Sequence, residues 1–335
     1  MKMKYDDTMQ WTEVSSTDQN PIFSRLTPLR GYPAALPESF LTGHQGRGFV
    51  HIEARYAAVL TFDFLFATCP DPIAESDSEL ELFGHAVGAL IEQLLESGEY
   101  NAVHLLPPLA GQALIAPGSS SFFAGINRSD FSWHQYVRMY FIGNAADHRS
   151  DELVRQGFPF TEAEVELPDD RPVVIRAFCG TDLTASADEE DSRPRSSKTC
   201  GASVDLEEVA SESWSRDLVE AMGGIHRYRR QGLGVFLYDG DELICGASSF
   251  CRYPNAIEVE VDTRPDRRNA GLARWAGAAL SVLAAAHDMY LCWDAAHPSS
   301  ARIAMDLGLG FSGHYICTVY RFADPSRRSA EGVDH

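Results

Sequence analysis

Residues 256–287 change their hydrophobic period abruptly. AIEVEVDT (256–263) alternates apolar and polar residues, as a strand with two unlike faces does. A short basic turn follows. GLARWAGAALSVLAAAH (271–287) then has the composition of a helix that is apolar on almost every side. Such a helix must be buried. Arg274 interrupts it, and the stretch is too short to span a bilayer, so it predicts a core helix and not a membrane span. A strand feeding a buried helix through a tight turn restricts the chain to an α/β architecture.

The neighbours of this unit extend the pattern. GLGVFLY (232–238) and DELICGASSF (241–250) flank Asp239-Gly240, a strong two-residue hairpin signal, so 256–263 is the third strand of a meander. Downstream, MYLCWDA (289–295) reads as a strand. Pro298 opens the helix PSSARIAMDLG (298–308), and HYICTVYRF (314–322) closes the region as a strand. Upstream, RPVVIRAF (171–178) is a short buried-type strand, and VDLEEVASESWSRDLVEAMG (204–223) carries a helical stripe of Leu206, Val209, Trp214, Leu218 and Met222. The segment 180–201 contains only Leu183 as a large aliphatic residue and predicts a mobile loop.

A chain of 335 residues exceeds one ordinary core. The expected division is an N-terminal α/β domain (1–165), a C-terminal domain (166–325) and a tail (326–335). In the first half, a proline-containing arm (1–46) precedes one or two strands in 47–67 and a helix in 77–97 with acids in its first turn. Strands are expected at 101–106 and 133–143. None of these segments names a chemistry.

The formal net charge of -20 would repel a phosphate backbone, which argues against nucleic acid and mildly favours a cationic substrate. Seven cysteines without a CxxC pair give no zinc or redox framework and fit a reduced, cytoplasmic protein. The first 14 residues lack the apolar stretch of a signal peptide. His85, His104 and His134 lack ligand spacing, so no metal is expected.

The chemistry points to VDTRPDRRNAGLA (261–273). Main-chain N–H groups at a helix N-terminus are unpaired and carry partial positive charge, so a diphosphate can sit there if no bulky side chain intervenes. Gly271 and Ala273 give that clearance, and Arg267 and Arg268 add charge at the same mouth. The hexapeptide Arg268-Asn269-Ala270-Gly271-Leu272-Ala273 resembles the acetyl-CoA loop of the GNAT superfamily, Gln/Arg-x-x-Gly-x-Gly/Ala. The resemblance extends over about residues 171–322, and the set EVEVDTRPDRRNAGLA, CWDA and PSSARIAMDLG looks most like the zwittermicin-resistance group of that superfamily.

The resemblance implies a GNAT fold, with a mixed, largely antiparallel sheet, and an acyl-CoA-dependent N-acetyltransferase. Its acceptor would be a small-molecule amine of antibiotic or secondary-metabolite type. The smaller N-terminal domain would be a possible degenerate copy. Acetyl-CoA would lie between strands 256–263 and 289–295, bonded to the backbone of Val261 and Thr263 like an added strand. An N–H near Val261 would face the thioester oxygen. The diphosphate would rest on residues 268–273, beside Arg267, and His297 and Ser300 at the last helix would border the cofactor arm.

Transfer needs a neutral amine, so a base must take its proton. Glu258 is favoured, Asp262 is second, and Glu260 shares the Glu258 face. Two positions depart from the superfamily. His297 stands where Asn is common, and Ala304 stands where many relatives place a Tyr acid, which leaves Tyr315, His314, His297 or water. Those departures also allow a non-catalytic acyl-CoA-binding module, or an acyltransferase with another donor. Three further signals have plain readings. GLGFSG (308–313) follows a helix and reads as its cap, Ser119–Ser121 reads as loop, and Cys292 reads as a buried small hydrophobe.

Overall fold

The computed structural model describes residues 11–14, 40, 46–51, 56–69, 77–110, 113–115, 120–126, 130–167, 172–183, 204–253 and 255–324. Most of the expected arm, most of the expected 180–201 loop and the tail lie outside these residues. The chain divides into two compact units. One comprises residues 1–41, 46–138 and 314–335, and the other residues 42–45 and 139–313.

The first unit contains strands β1 (Trp11–Val14), β2 (Arg47–His51), β3 (Ala57–Thr61) and β4 (Phe64–Cys69), then helix α1 (Asp77–Glu96). Strands β5 (Val103–Leu105), β6 (Leu109–Ala110) and β7 (Ala113–Leu114), helix α2 (Ser120–Ile126) and the start of β8 (Phe131–Gly143) follow. The segment expected to hold one or two strands therefore holds most of three. The extra turn is at Phe62-Asp63, where Phe62 takes φ 57, a conformation that no glycine, proline or asparagine announces. Helices α1 and α2 cover one sheet face, where Leu65, Phe83, Leu90, Phe122 and Tyr320 are buried together. Of the serine run read as loop, Ser120 and Ser121 instead begin α2, and Ser119 lies outside the described residues.

The second unit begins with the end of β8, then α3 (His148–Arg155), β9 (Ala163–Glu166) and β10 (Pro172–Cys179). Three short helices follow: α4 (Leu206–Ser211), α5 (Asp217–Glu220) and α6 (Ile225–Gln231). The meander β11 (Leu233–Asp239), β12 (Glu242–Tyr253) and β13 (Ala256–Thr263) leads through a 3-10 turn, Pro265–Arg267, to α7 (Leu272–Ala286). Strand β14 (Tyr290–Ala295), α8 (Pro298–Asp306) and β15 (Gly310–Phe322) complete the order, the end of β15 belonging to the first unit. The sheet order is β8-β14-β13-β12-β11-β10-β9.

The apolar helix α7 packs on the inner face of the meander, where Leu280 and Leu283 meet Val235, Ile257 and Leu291 in one core. On the opposite face α4, α5 and α6 bury Leu206, Val209, Leu218 and Tyr228 against Phe236. The expected single helix over 204–223 is broken. Ser211 Oγ donates to the Glu208 carbonyl (2.8 Å) and Ser215 Oγ to the Val209 carbonyl (2.7 Å), local bonds that compete with the helical ladder. Cys69, Cys245, Cys251, Cys292 and Cys317 are buried free thiols, whereas Cys179 is disulfide-bonded, unlike the all-thiol state expected from the sequence.

Candidate acyl-donor site

Strand β13 pairs with β14 in parallel only at Ala256↔Tyr290, Ile257↔Leu291 and Glu258↔Cys292. Its other edge stays paired with β12 as far as Thr263↔Cys245. Beyond Glu258, β14 is joined to β8 on its far side but no longer to β13. The two strands therefore part, leaving residues 259–263 with one edge open among the described residues.

Which main-chain groups face that edge follows from register. Arg264 N–H donates to the Ile244 carbonyl at 3.0 Å, so this pair is of the hydrogen-bonded kind. Antiparallel pairs alternate, which turns the main-chain groups of Asp262 and Glu260 toward β12 and those of Val259, Val261 and Thr263 toward the opening. Asp262 Oδ1 already accepts the Thr263 N–H at 2.8 Å. Val261 thus presents both an N–H and a carbonyl to the gap, as an added strand requires.

The turn after β13 ends at a bare helix N-terminus. Asn269 (φ 66) and Gly271 (φ 82) both adopt left-handed backbone conformations. Among the described residues, no main-chain acceptor engages the N–H groups of Asn269, Gly271, Leu272 or Ala273, whereas that of Arg268 closes the 3-10 turn. A side chain at Gly271 would meet nothing within 4 Å, so the space beside the turn is open there. The first turn of α7 carries no acid. A cleft of about 320 Å³ adjoins the turn, lined in part by Asp239, Ile244, Arg267, Arg268, Ala270 and Leu272.

The two arginines differ. Arg267 is tied to Asp239, Nη2 to Oδ2 at 3.0 Å, so its charge is already matched. Arg268 has a side chain 59% exposed, with Nε donating to the Thr263 carbonyl at 3.2 Å and Nη2 3.8 Å from Asp262. Its charge is the more available of the two.

On the face of β13 opposite α7, Glu258 is 4% exposed and sits at the last paired step before the strands part. Tyr140 on β8 is fully buried and donates its hydroxyl proton to Glu258 Oε2 at 3.3 Å. Sequence reasoning missed Tyr140. The residue lies in the expected strand 133–143, which names no chemistry, 118 positions away, and nothing local marks its hydroxyl. Asp262 lies on the same face, and burial raises its carboxyl above the ordinary range, against the lowering effects of the Thr263 N–H and Arg268.

His297 is exposed at the N-cap of α8 and makes no side-chain cap bond, while its carbonyl accepts the Ala301 N–H at 3.0 Å. Ser300 Oγ accepts the Trp293 indole N–H at 2.9 Å, which fixes α8 to the end of β14. Ala304 is fully buried in the core. Gly308 (φ 80) caps α8: its N–H donates to the Met305 carbonyl (2.9 Å) and the Leu309 N–H to the Ala304 carbonyl (3.1 Å), so the GLGFSG motif is a helix end. Tyr315 is buried in β15 and, like His314, belongs to the first unit. Among the described residues no group of three metal-ligating side chains converges, and no helix is long and apolar enough to cross a membrane.

Strand β13 thus parts from β14 and leads through the 3-10 turn to the start of α7. Residues 201–318 match the GNAT acetyltransferase family. A GCN5-related N-acetyltransferase-like protein from Streptococcus suis superposes with a TM-score of 0.53 at 20% identity, covering 84% of this chain and 90% of that one. This likeness gives the chain a GNAT-type fold. An acetyltransferase of the GNAT family from Novosphingobium aromaticivorans, described as putative, gives 0.42 at 15% identity, with 81% and 89% covered. A GCN5-related N-acetyltransferase from Kribbella flavida gives 0.45 at 11%, with 80% and 86% covered. No curated protein matches the chain.

Proposed function

We propose that this protein is a cytoplasmic N-acetyltransferase that moves an acetyl group from acetyl-CoA to the amine of a small molecule. The zwittermicin-type sequence pattern favours an acceptor of antibiotic or secondary-metabolite class. The observation that carries this reading is the early end of β13–β14 pairing at Glu258↔Cys292, on the strand that leads into the turn 268–271 and the start of α7.

The residues present fit acyl-CoA. Its diphosphate would be held by the N–H groups of Asn269, Gly271, Leu272 and Ala273, with Arg268 nearby and Arg267 shaping the wall through Asp239. The carbonyl and N–H of Val261 would hold the pantetheine arm, and His297 and Ser300 would border it. When bound, acyl-CoA supplies the activated thioester. Glu258 then takes the proton from the acceptor ammonium, directly or through water, and Tyr140 steadies the carboxylate by its hydrogen bond. Asp262, on the same face two pleat repeats further along, is the second candidate. The sequence reading divides the chain into an N-terminal domain over 1–165, a possible degenerate copy, and the acyltransferase domain over 166–325, whereas compactness groups residues 139–165 with the second unit and 314–325 with the first.

The test is release of free CoA thiol from acetyl-CoA in the presence of a panel of small amines. Turnover with at least one amine is expected. Binding of acetyl-CoA without turnover on any amine, peptide or alternative acyl donor would replace this reading with that of a non-catalytic binding module.

A further inference from the structure

The two units share one order of elements. In the second, antiparallel β11, β12 and β13 are followed by helix α7 and then by β14, parallel to β13. In the first, antiparallel β2, β3 and β4 are followed by helix α1 and then by β5, parallel to β4. Each fourth strand has an antiparallel neighbour on its other side, β8 for β14 and β15 for β5. Strand β4 is thus the counterpart of β13, and α1 of α7.

The counterparts differ where the donor would sit. Strand β13 loses its parallel partner after three residue pairs. Strand β4 keeps one to its end. It pairs with β5 at Phe64↔His104 and Leu65↔Leu105, the Leu106 N–H donates to the Leu65 carbonyl at 2.9 Å, and pairing resumes with β6 at Thr68↔Leu109 and Cys69↔Ala110. Strand β6 is itself held by the β7 hairpin. The edge left open in the second unit is, in the first, filled by the chain's own residues 109–110.

The helix starts differ in the same sense. Arg264, Arg267 and Arg268 precede α7, whose first turn has no acid. The residues before α1, PDPIAES (70–76), contain no Arg or Lys, and its first turn carries Asp77 and Glu79. Asp77 accepts a hydrogen bond from Ser121 Oγ at 2.8 Å. Carboxylates at the positive end of a helix repel a second anion there.

We infer that the first unit is a plugged repeat: strand β6 occupies its donor slot, and the chain takes one acyl-CoA, in the second unit only. This rests on the reading of the second unit given under the proposed function. Isothermal titration of the full chain with acetyl-CoA tests it, with Gly271→Trp and Arg268→Glu as variants. One equivalent per chain is expected for the wild type, none for Gly271→Trp, and at least tenfold weaker binding at unchanged stoichiometry for Arg268→Glu. Two equivalents in the wild type overturn the plugged repeat and leave the second-unit site standing. One full-affinity equivalent that survives both substitutions overturns the second-unit site and this inference with it, since it would lie elsewhere. No binding by the wild type overturns the second-unit site and this inference with it.

Discussion

Glu258 occupies a position where a carboxylate is costly, at 4% exposure between two cysteine-bearing strands. A buried carboxylate is retained when hydrogen bonds hold its charge, and the Tyr140 hydroxyl supplies one at 3.3 Å. Two substitutions separate proton removal from positioning. Glu258→Gln keeps the size and an acceptor for Tyr140 but cannot take a proton. Steady-state assays should show kcat lower by roughly 100-fold or more, with acetyl-CoA affinity unchanged. Full rate across the pH range would remove Glu258 as the base. Tyr140→Phe removes a hydrogen bond to the charged form of the carboxyl, which raises its pKa. The acidic limb of the pH–rate profile is then expected to move to higher pH, with KM for acetyl-CoA unaltered. A profile that keeps its position and loses only amplitude would assign Tyr140 a purely structural part.

At the scale of elements, α1 and α2 test how closely the first unit is packed. A methyl group on Gly84 would come 2.1 Å from the Phe122 carbonyl oxygen, and one on Gly125 would come 2.3 Å from that of Glu81. The helices cross there through bare backbone. Gly84→Ala is expected to cost about 1–3 kcal/mol in denaturant unfolding, because the helices must separate to admit it. An unchanged midpoint would mean the crossing is loose. The elements that sequence made legible are those with a strong period. The alternation of 256–263 corresponds to β13 residue for residue, and the apolar run 271–287 contains α7. Less legible were features set by side-chain bonds or by tertiary contact. Serine back-bonding breaks 204–223, Phe62 takes a left-handed position that no glycine or asparagine marks, and Tyr140 reaches Glu258 across the sheet. The turn before α7 could be read from Gly271 and its basic neighbours, but the pairing of Arg267 with Asp239 could not, since Asp239 also served as a hairpin signal.

Across the whole molecule, pH stability should carry the mark of His104 in the first unit. Burial, reinforced by Arg138, Arg321 and His134, pushes its imidazole down to about 4, despite the Asp63 carboxylate 3.6 Å from Nε2. The unfolded chain binds that proton near about pH 6.5 and the folded chain only near 4, so the unfolded state gains protons first. Stability is therefore expected to be full above about pH 6.5 and to fall as pH drops toward 4. Thermal unfolding followed over this window should show a flatter decline for His104→Gln, which cannot be protonated. The central claim concerns the second unit and is reached most directly by amide hydrogen exchange on the full chain, with and without saturating acetyl-CoA. Slower exchange concentrated at residues 259–263 and 268–274 is the expected result. Unchanged exchange at both segments, with ligand demonstrably bound, would contradict a donor threaded between β13 and β14 with its diphosphate on the start of α7.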